Sequence, residues 1–340
     1  MIQIAIIGAG TMGAIHAQSC HNLPNATVTW IADEDEGRAA TLAQAYNARA
    51  TTDVDTALGA ADVDVVVVTV PTPFHRAITE RAAACGKHVF CEKPIARTIA
   101  DARAMVAACE RAGVLLSVGH VVRFFPEYAR IHTLLKGDAV GTVGVARAAR
   151  LNANPALARS WYGNPEWSGG VIVDLMIHDL DTLRWYFGEV ERVYARSLSS
   201  TALQPISDYA LAVLRFTNGV IAHVEASWAH ASFRSSIEIA GSAGLLRHAS
   251  EESNTIRIEH TASEEDVARV QVPSSPLLEG PYQTELRHFL AAVEAGTSPL
   301  VTGEEAVRSL TLALAVLQST RTGRPIHATN GVLQIAEDAV

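Results

Sequence analysis

Ile2-Gln3-Ile4-Ala5-Ile6-Ile7-Gly8-Ala9-Gly10-Thr11-Met12-Gly13 sets a short apolar run directly against a G-x-G-x-x-G loop, and the loop opens a helical pattern over Thr11–Leu23. In such a loop Gly8 permits the tight turn, Gly10 lets a pyrophosphate approach the backbone, and Gly13 lets the helix pack close to the strand. The helix start, at Thr11 and Met12, then aims its free amides at the phosphates. A glycine turn beside a surface aspartate would show the same letters, so position decides. The loop follows a strand pattern, precedes a helix, and starts at residue 8. Asp33 stands twenty residues past Gly13, at the end of the next apolar run, Thr27–Ala32. A carboxylate there accepts hydrogen bonds from the adenosine ribose and repels a 2′-phosphate. The expected cofactor is therefore NAD, with NADP disfavoured, and Arg38 nearby would soften that preference.

The same grammar continues outward. Helical Asp35–Tyr46, the almost pure valine run Asp64–Val70, helical Phe74–Cys85, strand His88–Cys91, helical Thr98–Ala112 and strand Leu115–Val118 alternate in order. Continuous Val/Ile runs mark strands buried on both faces, and the helices between them fit right-handed crossovers. This predicts an α/β Rossmann domain with a doubly wound parallel sheet over residues 1–121. After residue 120 the pattern changes. A long helix is expected at Gly170–Phe187, followed by strands near Val190–Leu198, Tyr209–Phe216, Val220–Trp228, Ile237–Ala240, Ile256–Glu259 and Ala268–Val272. Asn218-Gly219 supplies a hairpin turn between two of them. Helices near Tyr282–Ala295 and Glu304–Thr320 close the chain. Residues 122–340 are thus expected to form an α+β substrate domain with a large, mostly antiparallel open sheet, the last helices packing back on the first domain. Both faces of Tyr209–Phe216 carry apolar residues. Helices would cover one face and a second subunit the other, giving a homodimer or homotetramer through this sheet.

The length, 340 residues, itself suggests about two domains. A net charge of −9 weighs against nucleic-acid binding, which needs surplus positive charge to displace counterions. No run approaches the roughly 20 apolar residues of a membrane span, and the N-terminus lacks a signal-peptide pattern. Cys20, Cys85, Cys91 and Cys109 form no C-x-x-C pair and read as small buried hydrophobes of a reducing, cytoplasmic protein.

A charged pair stands where a buried strand ends, in Gly86-Lys-His-Val-Phe-Cys-Glu92-Lys93-Pro94. In open α/β sheets that edge is where ligands bind, and Pro94 restricts how Lys93 can point. A surface salt bridge is the plain alternative. With Gly8–Gly13, Thr69-Val-Pro71-Thr72-Pro-Phe-His75, Gly169-Gly-Val-Ile-Val-Asp174-Leu-Met-Ile-His178-Asp-Leu-Asp181 and Glu285-Leu-Arg-His-Phe-Leu, the chain resembles the glucose-fructose oxidoreductase/inositol dehydrogenase family over nearly its whole length. Members are NAD(P)-dependent oxidoreductases of cyclic polyols, sugars and their derivatives. The resemblance implies that Lys93, Asp174 and His178 are the catalytic residues, and that the Lys93–Pro94 peptide is cis.

Read on its own terms, the helix over Val171–Phe187 is apolar all round. Asp174 and His178 lie four apart on one face, and Asp181 and Trp185 extend the stripe. Burying these groups is costly unless they are paired or line a cavity. Oxidising a secondary alcohol requires a group to take the hydroxyl proton, which suits an imidazole. Lys93 would stabilise the developing alkoxide. Asp174 would orient the imidazole or hold a neighbouring hydroxyl, a choice the sequence leaves open. A metal site at Asp174/His178 and a purely structural hydrogen bond are the competing readings; no metal is expected.

Around them, Thr69, Pro71, Thr72, His75 and Glu92 are expected near the cofactor. His120, Arg123, Arg159, Trp161 and Tyr162 are candidate substrate contacts, with a domain-junction salt bridge the alternative for Arg123 and hinge packing for the aromatics. The reading is an NAD-dependent, inositol 2-dehydrogenase-like enzyme interconverting a ring hydroxyl and a ketone. A dehydrogenase of larger glycosides or nucleotide sugars, and a non-catalytic NAD-binding regulator, are the alternatives.

Overall fold

The computed structural model describes residues 1–157, 160–199, 208–251 and 279–335. The chain divides into two compact units, one of Met1–Phe124 with the described part of Ser274–Val307, the other of the described parts of Phe125–Pro273 and Arg308–Val340.

In the first unit, β1 (Ile2–Ile7), α1 (Thr11–His21), β2 (Ala26–Ala32), α2 (Glu36–Ala45), β3 (Arg49–Thr51), α3 (Val54–Leu58), β4 (Val65–Val68), α4 (His75–Ala84), β5 (His88–Cys91), α5 (Ile99–Ala112) and β6 (Leu116–Val118) follow in turn. The six strands form one sheet in the order β3-β2-β1-β4-β5-β6. Every pair is parallel. The order reverses between β1 and β4, which opens a crevice at their carboxyl ends. Ile4, Ile6, Val65, Val67 and Phe90 pack with Leu286, Phe289 and Leu290 of a late helix, Pro281–Ala295, in one buried cluster. That helix belongs to the first unit. Helix starts are capped by side chains the sequence supplies, Asp35 on Arg38 N for α2 and Thr98 on Asp101 N for α5.

The second unit holds α6 (Pro126–Lys136), β7 (Val143–Ala153), a short helix α7 (Pro165–Ser168), a π-helical turn (Ile172–Met176) that runs into α8 (Ile177–Phe187), then β8 (Val190–Leu198), β9 (Tyr209–Phe216), β10 (Ile221–Ser227), β11 (Ala229–Gly241) and β12 (Gly244–Ala249). Its eight-stranded sheet, completed by β13 (Ile326–Thr329) and β14 (Val332–Leu333), has β7 in the interior, between β11 and β10. The β7–β10 pair is parallel and the rest antiparallel, so the sheet is mixed. The expected strands up to Ile237–Ala240 are present, and Gly219, at φ 93, makes the β9–β10 hairpin turn. Ile256–Glu259 and Ala268–Val272 lie outside the described residues.

Several elements were not anticipated, among them β3, α3, α6 and β12, and two are instructive. β7 reads Val-Gly-Val-Ala-Arg-Ala-Ala-Arg-Leu-Asn-Ala, too alanine-rich for the usual strand signal. Its buried face explains the composition: Ala146 and Ala148, with Ala195, Ala210, Ala212, Ala222 and Ala226 of neighbouring strands, are all within 4% of full burial. Small residues there leave room for α8 to lie close on the sheet. The expected α-helix from Gly170 also differs, because Ile172–Met176 is wound as a π-helix before regular α-helix begins. Cys85 is a further correction: it sits at the C-cap of α4 and is exposed, while Cys20, Cys91 and Cys109 are buried. Burial pushes the Cys20 and Cys109 thiols up to about 12, far from reactivity. Among the described residues no helix is long and apolar enough to cross a membrane.

Candidate functional site

The glycine loop is shaped by contacts no side chain could share. Gly8 has φ 105, and a Cβ on it would meet Thr69 O at 2.8 Å; a Cβ on Gly13 would meet Gly8 O at 1.9 Å. Thr69 Oγ1 donates to Gly8 O at 2.7 Å, binding the β4 end to the loop. Gly10 caps α1 in extended backbone, so the first amides of the helix face the crevice end.

Asp33 stands just beyond β2. Its Oδ2 accepts Ala9 N at 2.7 Å, and its Oδ1 accepts Asp35 N at 2.9 Å and Arg38 Nη2 at 2.7 Å. Burial works against its charge, but the Arg38 hydrogen bond and the amides of Asp35 and Ala9 hold the carboxyl below the usual range. The carboxylate is thus ionised and fastened to the glycine loop itself. Arg38, half-exposed, lies on Asp33. This cradle fits a dinucleotide: a close backbone approach, exposed amides, and a fixed acceptor where the ribose hydroxyls arrive.

At the end of β5 the Lys93–Pro94 peptide is cis, as the resemblance implied. Glu92 is buried, with Oε2 accepting Lys93 N at 3.0 Å and Oε1 lying 2.7 Å from His16 Nε2. His16 Nδ1 has no partner among the described residues, and Nε2 carries the proton donated to Glu92. Burial raises the Glu92 pKa, yet the His16 hydrogen bond, the charges of His16 and Lys93 and the Lys93 amide bring it below its ordinary value. His16, on α1, also meets the rings of Phe90 and Tyr282 edge-on. Sequence reasoning passed over His16; its one signal was its place one turn beyond Gly13.

Other expected site residues fall differently. Thr72 is buried in a single 3₁₀ turn, Thr72–Phe74, capped by Pro71. His75 is 1% exposed and points into the protein, with Nε2 at 2.9 Å from Val70 O and Nδ1 at 3.0 Å from Pro94 O. Both nitrogens face backbone carbonyls. Arg123 is buried and donates to Glu305 Oε2 at 3.1 Å, a bridge within the first unit rather than at a junction. His120 is buried beside it.

In the second unit, Asp174 lies within the π-helical turn and His178 at the start of α8. Both are partly exposed. The residues around them fix the helix. Asp179, adjacent to His178, takes a two-pronged bond from Arg150 of β7, Nε to Oδ2 at 2.8 Å and Nη2 to Oδ1 at 2.9 Å. Burial disfavours charge on Arg150, and Asp179 and Tyr128 more than offset it. Asp181, one turn beyond His178, is fully buried and accepts Ser309 Oγ at 2.7 Å. Trp161 and Tyr162 are stacked on each other at 3.8 Å. Arg159 lies outside the described residues.

A glycine cradle at the switch point of a parallel sheet, with an ionised aspartate fixed at its rim, defines a dinucleotide-binding oxidoreductase domain. The chain belongs to the oxidoreductase family with an NAD-binding Rossmann fold, whose model matches residues 2–120, and the family's C-terminal alpha/beta domain matches residues 133–327. It is an NAD-dependent enzyme of that family. It is 30% identical to a 1,5-anhydro-D-fructose reductase of Ensifer adhaerens over 96% of this chain and 98% of that one. It is 28% identical to an inositol 2-dehydrogenase of Rhizobium meliloti, with 96% and 98% covered. Among solved structures it superposes on GenD2 from gentamicin A biosynthesis, in complex with NAD, with a TM-score of 0.85 at 27% identity and 96% of each chain covered.

Proposed function

We propose that this protein interconverts a secondary ring hydroxyl and a ketone on a cyclic polyol or sugar, with inositol 2-dehydrogenase-like activity the leading assignment. The observation that carries the reading is the pair Asp174 and His178 on the π-to-α helix. Both are partly exposed, while Asp179 and Asp181 on the same helix are fully buried. The relatives named for reducing an anhydro-sugar and for oxidising an inositol support the substrate class.

Gly8, Gly10, Thr11, Met12 and Gly13 hold the pyrophosphate, and Asp33 receives the ribose hydroxyls. NAD, when bound, supplies the acceptor for the hydride that leaves the carbinol carbon. His178 takes the hydroxyl proton as general base, help worth roughly 10²–10⁴-fold. Lys93 stabilises the developing alkoxide through its ammonium group. Asp174 orients His178 or holds an adjacent hydroxyl. Residues 1–121 serve the cofactor and residues 122–340 the substrate and self-association.

The self-association reading rests on the sheet face opposite α8. There Tyr194, Leu211, Ile221 and Leu245 are exposed large hydrophobics on β8, β9, β10 and β12. A face of this kind suits a second copy meeting it about a two-fold axis. Light scattering should give a dimer or tetramer, and Leu211→Glu should shift the mass downward; an unchanged monomer mass would refute it. For the activity, purified protein with NAD is offered myo-inositol, scyllo-inositol and common aldoses, and reduced cofactor is followed by absorbance. Turnover of a cyclic polyol or sugar is expected. NAD binding without turnover of any of them would overturn the assignment in favour of a regulator.

A further inference from the structure

His75 is a buried titratable group with no part in the chemistry above, and its placement is specific. Its Nε2 lies 2.9 Å from Val70 O, closing the segment between the end of β4 and the start of α4. Its Nδ1 lies 3.0 Å from Pro94 O and 3.3 Å from Ile95 O, on the far side of the Lys93–Pro94 peptide. One imidazole thus spans the carboxyl ends of two adjacent parallel strands, β4 and β5. Pro94 has no N–H, so its carbonyl is the handle by which the turn can be held. On the other side of Lys93, the backbone N–H is held by Glu92. The β4 end is in turn tied to the glycine loop through Thr69 and Gly8.

We propose that His75 is a positioning residue for Lys93, fixing the Glu92-Lys93-Pro94 turn against the end of β4 so that the lysine is presented in one place relative to the cofactor loop. The proposal rests on the reading of Lys93 as a catalytic group. Misplacement of a reacting group by about 1 Å is enough to cost roughly a hundredfold in rate. A packing role alone would need only the ring's volume. Burial favours the neutral ring, which has one N–H to donate, so His75 hydrogen-bonds one of the two carbonyls and packs against the other; volume alone requires no donor there.

The chain offers a clean readout, because its lysines are only Lys87, Lys93 and Lys136. Reductive methylation of the full-length protein, followed site by site by mass spectrometry, measures how Lys93 is presented, with Lys87 and Lys136 as internal references. In His75→Leu the Lys93 rate should change at least threefold against both references, while the Lys87-to-Lys136 ratio stays constant. An unchanged Lys93 rate overturns the proposal. If His75→Leu does not fold, His75→Asn, which keeps a donor toward one side only, is read the same way. With the polyol found by the substrate panel, His75→Leu should lower kcat at least tenfold while the KM for NAD stays within twofold, and His75→Gln should recover most of the loss. Placed in Lys93→Ala, His75→Leu should cost nothing further. If Lys93→Ala keeps full activity, the catalytic reading of Lys93 fails while the methylation result still decides the brace. If Lys93→Ala is inactive and His75→Leu turns over normally, the brace alone is refuted.

Discussion

The turn that carries Lys93 and the helix that carries His178 are fixed by opposite means. Around Lys93 most of the bonds run to the backbone: Glu92, itself held by His16, accepts the Lys93 amide, and His75 faces the Val70 and Pro94 carbonyls. Around His178 the fixing bonds run between side chains, Arg150 to Asp179 and Ser309 to Asp181. A strand end has free carbonyls and amides to offer, whereas a helix has already used its own and must be anchored by what projects from it. The helix is therefore the more vulnerable of the two to a single side-chain change.

That difference can be broken most severely at the buried ion pair. Arg150→Ala leaves Asp179 charged and unpaired, and should lower unfolding stability by about 3–5 kcal/mol in urea titration, whereas Arg150→Met with Asp179→Leu should recover most of it. A loss under 1 kcal/mol for the single change would show that water reaches the pair. Gly13→Ala comes next. Its Cβ would fall 1.9 Å from Gly8 O, so NAD binding should weaken by roughly 10–100-fold in calorimetry. The Lys93 methylation rate should hold if the turn is braced independently of the loop. Asp33→Ser removes the charged acceptor at the ribose, and the preference for NAD over NADP should fall by about 1.5–3 kcal/mol in paired binding measurements. A preference that survives would move specificity elsewhere.

The smallest effect is one of pH. Glu92 has its pKa lowered in the fold, as His16, Lys93 and the amide outweigh burial. Its stabilising effect is therefore complete above the unfolded glutamate value of about 4.3 and is lost as pH falls through the lower folded value. Glu92→Gln should be the less stable protein near neutrality and should converge on the wild type in acid. Parallel curves would exclude this coupling.

The first unit was legible because its signals are local. A strand, three glycines and an acid at fixed spacing state the cradle, and runs of valine state a sheet buried on both faces. The place of Asp174 and His178 on one helix was legible for a similar reason, as polar groups four apart in an apolar stretch. The braces were not. His16 and Glu92 are 76 residues apart and Arg150 and Asp179 are 29 apart, so only the fold makes them partners. His75 is a subtler case. A histidine at a helix start beside a ligand edge suggests a ligand contact, and nothing in the residues themselves shows that the ring faces the Val70 and Pro94 carbonyls. β7 failed because its alanines answer to the helix lying on them, a constraint written in another element.

The π-helical turn at Ile172–Met176 accommodates one residue more than an α-helix would over the same path. Removing a single residue from it would let the segment rewind as regular α-helix. Taken from between Asp174 and His178, the deletion would leave the two residues three apart instead of four, a spacing that on a regular α-helix still shares a face but reverses the sense of their offset around the axis. The relation of carboxylate to imidazole is thus set partly by chain length, and a one-residue deletion there should disturb it although neither residue is altered.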